Sequence, residues 1–106
     1  MKYQFHPEKL SRLSARLEEL FSRVSGCGPE PLTPELADEI AATAGEVMVE
    51  LAGHGGDGLA RHVIEDARRL REAARTARPE PARVAQAGGA LVSDLGLIIR
   101  EDKRAA

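Results

Sequence analysis

The chain has 106 residues, a net charge of −2 and an aromatic content of 3 %, with no Trp. A chain of this length forms one domain, and we expect its core to consist of Leu, Val, Ile and Ala. The slightly acidic balance disfavours a dedicated nucleic-acid binder, and the single cysteine, Cys27, excludes an intrachain disulfide bond.

The first two of four predicted helices cover about residues 7–25 and 34–52. Apolar residues in the first helix recur at spacings of three and four, which gives it one face for packing against other helices. The second helix begins with Thr33 as its N-terminal cap and Pro34 in its first turn. The inward positions of the two helices are Leu10, Leu13, Leu17, Leu20, Val24, Leu36, Ile40, Ala44, Val47 and Leu51.

The third and fourth helices are predicted over about residues 58–77 and 81–102, separated by Pro79 and Pro81. Short loops make neighbouring helices antiparallel. The sequence therefore predicts an all-α fold, a single-domain up-down four-helix bundle over residues 1–106. The inward positions of these helices are Leu59, Val63, Ala67, Leu70, Ala74, Val84, Gly88, Leu91, Val92, Leu95, Ile98 and Ile99.

Charge is segregated along the chain. Residues 28–60 contain seven carboxylates and no Lys or Arg, whereas residues 61–83 contain seven arginines and four carboxylates. At about 100° per residue, the acidic side chains of helix two and the arginines of helix three lie on opposite flanks of the hairpin, so they do not neutralise each other across it. The acidic stripe is Glu35, Glu39, Glu46 and Glu50. The basic face is Arg61, Ile64, Arg68, Arg71 and Arg75.

An aliphatic residue surrounded by guanidinium groups, as Ile64 is, is typical of a protein interface; the alternative is that Ile64 belongs to the core. For the stripes, the alternative is solvated faces with weak ion pairs. We expect a non-enzymatic protein–protein interaction module, such as an adaptor, regulatory subunit or assembly factor. Its expected partner is another protein, a second copy of the chain, or both. The second hypothesis is a nucleic-acid-associated regulator that uses the same arginines.

Helix four carries a small-residue stripe, which consists of Ala85, Gly89, Ser93 and Gly96. Such a stripe lets another helix approach closely, and we expect it to contact helix one, with a homodimer contact as the alternative. Residues 84–93 form the longest uncharged stretch near the C-terminus, which is too short to span a bilayer. Because the N-terminus also has no apolar signal segment, we expect a cytoplasmic protein without membrane contact.

A metal-binding helical bundle is the third hypothesis. Glu50 and His54 are four residues apart, as are His62 and Asp66, and Glu65 is adjacent. However, the pattern indicates no inward-facing buried carboxylate, so we predict no metal site, no cofactor and no catalytic residue. The glycine-rich loop 53–58 matches a dinucleotide-binding pattern only formally, because a predicted helix precedes it where that pattern needs a strand.

Overall fold

The structure is a computed structural model that describes residues 7–26, 31–52 and 58–105, with side chains for 8–26, 31–52 and 58–100. Within these ranges the chain forms four helices and no strand: α1 (Pro7–Ser25), α2 (Pro34–Leu51), α3 (Gly58–Ala74) and α4 (Pro81–Ala105). The predicted all-α four-helix fold is confirmed.

The four helices form a closed ring. The second helix, α2, packs against α1 and α3, and α4 packs against α3 and α1. The amide of Leu32 donates a hydrogen bond to the carbonyl of Pro79 at 3.0 Å. This bond joins the segment before α2 to the segment before α4, so both connections lie at the same end of the bundle. The helices therefore run alternately up and down.

The core is aliphatic, as the composition predicts. Its largest fully buried side chains come from all four helices and include Leu17, Ile40, Leu70 and Leu91. Each predicted inward position is buried or partly buried, because the three-and-four spacing keeps apolar residues on one side of each helix. The predicted inward residues that are only partly buried are Leu59, Val92 and Ile99.

Three helix ends differ from the predicted bounds. The end of α2 at Leu51 is one residue early, within ordinary fraying. The third helix, α3, ends at Ala74, before the predicted boundary, and the N–H of the next residue, Arg75, is shared between the carbonyls three and four residues earlier, at 3.2 and 3.0 Å. This bifurcated geometry is common in a last turn. The fourth helix, α4, continues to Ala105, since neither Gly nor Pro follows residue 96.

The start of α2 has the predicted cap. Thr33 has an extended backbone, and its hydroxyl oxygen accepts a hydrogen bond from the N–H of Leu36 at 3.3 Å. Pro34 occupies the first turn, where its missing N–H leaves no intrahelical bond unmade. This cap fixes the first residue of α2, and with it the angular positions of the acidic stripe.

Candidate functional site

The basic face of α3 lies on the outside of the bundle. Arg61, Arg68 and Arg75 are exposed, whereas Ile64 and Arg71 are half-buried. The side chain of Ile64 packs against the hydrophobic core. Both interpretations of this residue therefore hold in part, because Ile64 extends the core and also keeps some surface among the arginines.

Most guanidinium groups of the basic face have no carboxylate partner in the described part of the bundle. The exception is Arg68, whose Nη2 lies 2.8 and 2.6 Å from the two carboxylate oxygens of Glu65, three residues earlier on α3. Among the described residues, Arg61, Arg71 and Arg75 form no ion pair. These three cations are available to an external anion, without first breaking a described bond.

Helix α1 neutralises part of the acidic stripe. Glu39 lies 3.4 Å from a guanidinium nitrogen of Arg23, and Glu50 lies 3.3 Å from the Lys9 ammonium. The Glu50 side chain is only 11 % exposed. These pairs place α1 on the flank of α2 that carries the acidic stripe. Within the described residues, the other two members of the stripe, Glu35 and Glu46, are exposed and form no ion pair.

The opposite flank of α2 faces α3 and is apolar toward the end of the helix, beyond the exposed Asp38. Helical spacing places Gly45 and Met48 on this flank, with Val49 next to them toward solvent. Val49 is 74 % exposed, and a side chain built at Gly45 would meet open space. Because the hairpin brings the end of α2 beside the start of α3, this apolar edge adjoins the half-buried Ile64.

The small-residue stripe of α4 does not form the expected contact with α1. Three of its four residues are exposed, and a side chain at Gly89 would meet open space. The contact lies one residue earlier, at buried Gly88, where the ring of Phe21 from α1 occupies the space that a Cβ atom would need. A step of one residue is a rotation of about 100°, which moves the contact to the inner face.

Helix α4 is unusually apolar on both sides. Over Pro81–Arg100 it is the one helix in the described part of the chain whose length and composition would allow a membrane crossing. The buried share of this segment is 28 %, and its inner face supplies Val84, Leu91 and Leu95 to the core. Core helices of bundles have the same composition, so this property does not distinguish a membrane helix from a packed one.

A cluster of potential metal ligands, which the sequence pattern did not assemble, lies between α3 and α4. Nε2 of His62 is 3.1 Å from Oδ2 of Asp94 and 3.9 Å from Oδ2 of Asp66. One ligand atom from each residue lies within 4.8 Å of the others. His62 and Asp66 share a face of α3 because they are four residues apart, and the register of the hairpin adds Asp94 from α4.

The sequence pattern indicated no inward-facing buried carboxylate. That expectation was wrong, because Asp66 is buried. The residue is 4 % exposed, and its Oδ2 has no hydrogen-bond partner among the described residues. Burial raises the pKa of Asp66 to about 6, and a hydrogen bond with Asp94 and repulsion from it add to the shift. His62 and Arg69 oppose the shift. The hydrogen bond with Asp94 forms only when one of the two carboxyl groups is protonated, so the ionised pair leaves Oδ2 of Asp66 without a partner among the described residues.

A cavity of about 320 Å³ continues from this cluster along the groove between α3 and α4. Asp66 lies at its wall, and Arg69, Arg83 and Gln86 supply the other polar groups. The cavity therefore connects the buried carboxylate with two guanidinium groups.

Of the residues paired by spacing, His62 and Asp66 come together in the structure, whereas Glu50 and Glu65 lie elsewhere. Glu50 pairs with Lys9 of α1, and Glu65 pairs with Arg68, so neither carboxylate joins the cluster. The prediction for His54 lies outside the described residues. The sequence does contain a sign of the third potential ligand, Asp94. It is the one charged residue between Arg83 and Arg100, in an otherwise uncharged part of α4.

No protein-family model, curated protein or solved structure matches this chain.

Proposed function

We propose that this chain is a small helical protein–protein interaction module whose basic face binds an acidic protein surface. The proposed occupant of the basic face is the acidic stripe of a second copy. One observation carries the proposal: three guanidinium groups without ion pairs among the described residues share one side of α3 with the half-buried Ile64, and Val49 on the adjacent α2 is 74 % exposed. An apolar centre with a polar rim is the usual composition of a protein interface, and Arg is enriched there.

Charge complementarity selects the second copy. The basic face has unpaired cations, and the acidic stripe has unpaired carboxylates at Glu35 and Glu46 in the described part of the bundle. The acidic stripe lies on the flank of α2 toward α1, and the basic face lies on the flank of α3 toward α2. Because α2 separates the two surfaces, contact between them requires two molecules. If each copy offers both surfaces reciprocally, the dimer closes. Complementary charge mainly sets orientation and association rate, so the apolar centre must supply most of the affinity.

The size of the surface requires that α2 take part. The 17 residues of α3 make a helix about 25 Å long and about 10 Å wide, so one helical face offers roughly 250 Å². A stable interface buries about 800 Å² on each partner. The basic face is therefore too small alone, and the contact must extend over the apolar edge of α2 at Gly45 and Val49.

Sedimentation equilibrium over a series of protein concentrations tests this proposal. We expect the wild type to form a dimer, and the double variant Ile64→Glu/Arg68→Glu to remain monomeric. The matched control is Leu97→Glu/Arg100→Glu, which makes the same change of charge at an exposed apolar residue and an exposed arginine on α4. A second variant, Arg61→Glu/Arg71→Glu, leaves Ile64 in place and so separates lost binding from lost folding.

Each result has a defined meaning. A wild-type monomer at every concentration would contradict self-association. If only the α4 control, Leu97→Glu/Arg100→Glu, abolishes the dimer, the contact lies at the small-residue stripe and not at the basic face. The nucleic-acid hypothesis predicts instead that the wild type binds RNA or DNA with an affinity that falls steeply with salt, and that Arg61→Glu/Arg71→Glu abolishes this binding. The basic face contains no aromatic residue for base stacking, which favours the protein partner.

A further inference from the structure

We propose that His62, Asp66 and Asp94 form a binding site for a divalent transition-metal ion of the zinc type. The site lies on the flank of α3 that faces α4, whereas the basic face lies on the flank toward α2. The proposal therefore stands apart from the interaction module, and the failure of either one leaves the other standing.

The positions of the ligand atoms fit a metal ion. In a tetrahedral zinc site with bonds of about 2.1 Å, neighbouring ligand atoms are about 3.4 Å apart. His62 Nε2 lies 3.1 and 3.9 Å from the nearest carboxylate oxygens of Asp94 and Asp66, and the whole set lies within 4.8 Å. Small side-chain rotations would bring the three atoms onto one ion, because they project from two helices that already pack together.

The buried oxygen of Asp66 is an independent sign of a ligand. Nearly all buried polar atoms have a hydrogen-bond partner, and a buried carboxylate without one carries a large desolvation cost. Oδ2 of Asp66 has no such partner among the described residues. A cation held between Asp66, Asp94 and His62 would give this oxygen a partner and would neutralise both carboxylates.

The donor set indicates the class of ion. Imidazole nitrogen favours zinc and the other first-row transition metals, whereas a site for Mg²⁺ or Ca²⁺ normally consists of oxygen ligands alone. Three protein ligands leave a coordination position for water, as in catalytic zinc sites. The 60 % exposed side chain of His62 provides an entry path from solvent. The Arg69 guanidinium is close enough to oppose the ion, so it moderates the affinity.

Isothermal titration of the full chain with Zn²⁺, Mn²⁺ and Mg²⁺ at pH 7.5 tests the site, with native mass spectrometry for stoichiometry. We expect one Zn²⁺ per chain, weaker Mn²⁺ binding and no Mg²⁺ binding. His62→Gln, Asp66→Asn and Asp94→Asn should each weaken Zn²⁺ binding by roughly tenfold or more. The control Glu72→Gln makes the same change of charge at an exposed carboxylate of α3 and should leave binding unchanged.

Adventitious binding is tested separately. Zinc also binds stray Cys and His side chains, so Cys27→Ser/His6→Gln/His54→Gln must retain wild-type affinity if the proposal holds. Circular dichroism checks that each variant is folded, and His62→Gln is the safest ligand variant because its side chain is exposed. Absence of Zn²⁺ binding to the wild type would overturn the proposal. Full binding by folded Asp66→Asn and Asp94→Asn would overturn it equally.

Discussion

Replacement of Asp66 by Asn should stabilise the metal-free protein at neutral pH. In the folded chain the pKa of Asp66 is raised from 3.8 to about 6, chiefly by burial and also by Asp94, while His62 and Arg69 lower it. Between about pH 4 and 6, Asp66 is therefore protonated in the folded state and ionised in the unfolded state. Stability from this residue is present below pH 4 and is lost as the pH rises through 6.

The magnitude follows from the size of the shift. The change from 3.8 to about 6 corresponds to about 3 kcal/mol, at about 1.4 kcal/mol per unit. Asn has nearly the shape of a protonated Asp, so we expect equal stabilities near pH 4 and an Asp66→Asn variant more stable by about 3 kcal/mol at pH 7.5.

Urea denaturation followed by circular dichroism, in EDTA, measures the free energy of unfolding of both proteins from pH 4 to 8. The difference between them isolates Asp66 from the other titrating groups. Glu72→Gln, an exposed carboxylate on the same helix, should change stability by no more than about 0.5 kcal/mol at any pH. A difference between Asp66→Asn and wild type that does not change with pH, or a less stable variant at pH 7.5, would refute the reasoning.

Further predictions concern the packing of α4 and the start of α2. Gly88→Ala should be less stable than Gly89→Ala by about 1–3 kcal/mol, because both gain the same helix propensity and only the former displaces the Phe21 ring. Equal stabilities in thermal unfolding would mean that Phe21 moves without cost. Thr33→Ala should lower the free energy of unfolding by about 1 kcal/mol, because the Leu36 amide loses its cap. Thr33→Ser should retain most of that stability, and an equal loss would mean that the hydroxyl is not the cause.

The helices and the core could be predicted because they depend on local patterns. Apolar spacing identified the inner face of each helix, and Thr33, Pro34 and Pro81 marked helix starts that the structure retains. The end of α3 was less predictable, since no residue between Ala74 and Pro79 is a strong helix breaker. There the boundary depends on where the chain must turn to begin the next helix.

The candidate sites depend on which flank of each helix a neighbour covers, which a single helix does not reveal. Asp66 lies at the edge of the apolar face of α3 and is buried only because α4 covers that edge. The approach of Asp94 to His62 depends on the register between two helices, across 32 positions of sequence. By contrast, the basic face was identifiable from sequence because its members recur at helical spacing on one side of α3.

The contact with α1 shows the same limit. The spacing of its four residues predicts the acidic stripe. Whether the stripe faces solvent, α1 or another molecule depends on how the helices pack, which the spacing does not show. Arg23 and Lys9 pair with half of the stripe because α1 lies on that flank. Likewise, Gly88 rather than the small-residue stripe contacts α1, since a rotation of about 100° decides which glycine faces inward.

An exchange of charge between the two surfaces tests the proposed contact most directly. Arg61→Glu/Arg71→Glu reverses the basic face, Glu35→Arg/Glu46→Arg reverses the acidic stripe, and the combination of all four keeps the net charge at −2. Sedimentation equilibrium should show a dimer for the wild type and for the fourfold variant, and a monomer for each double variant. A fourfold variant that is folded but monomeric, or a wild type that never dimerises, would contradict the proposed contact.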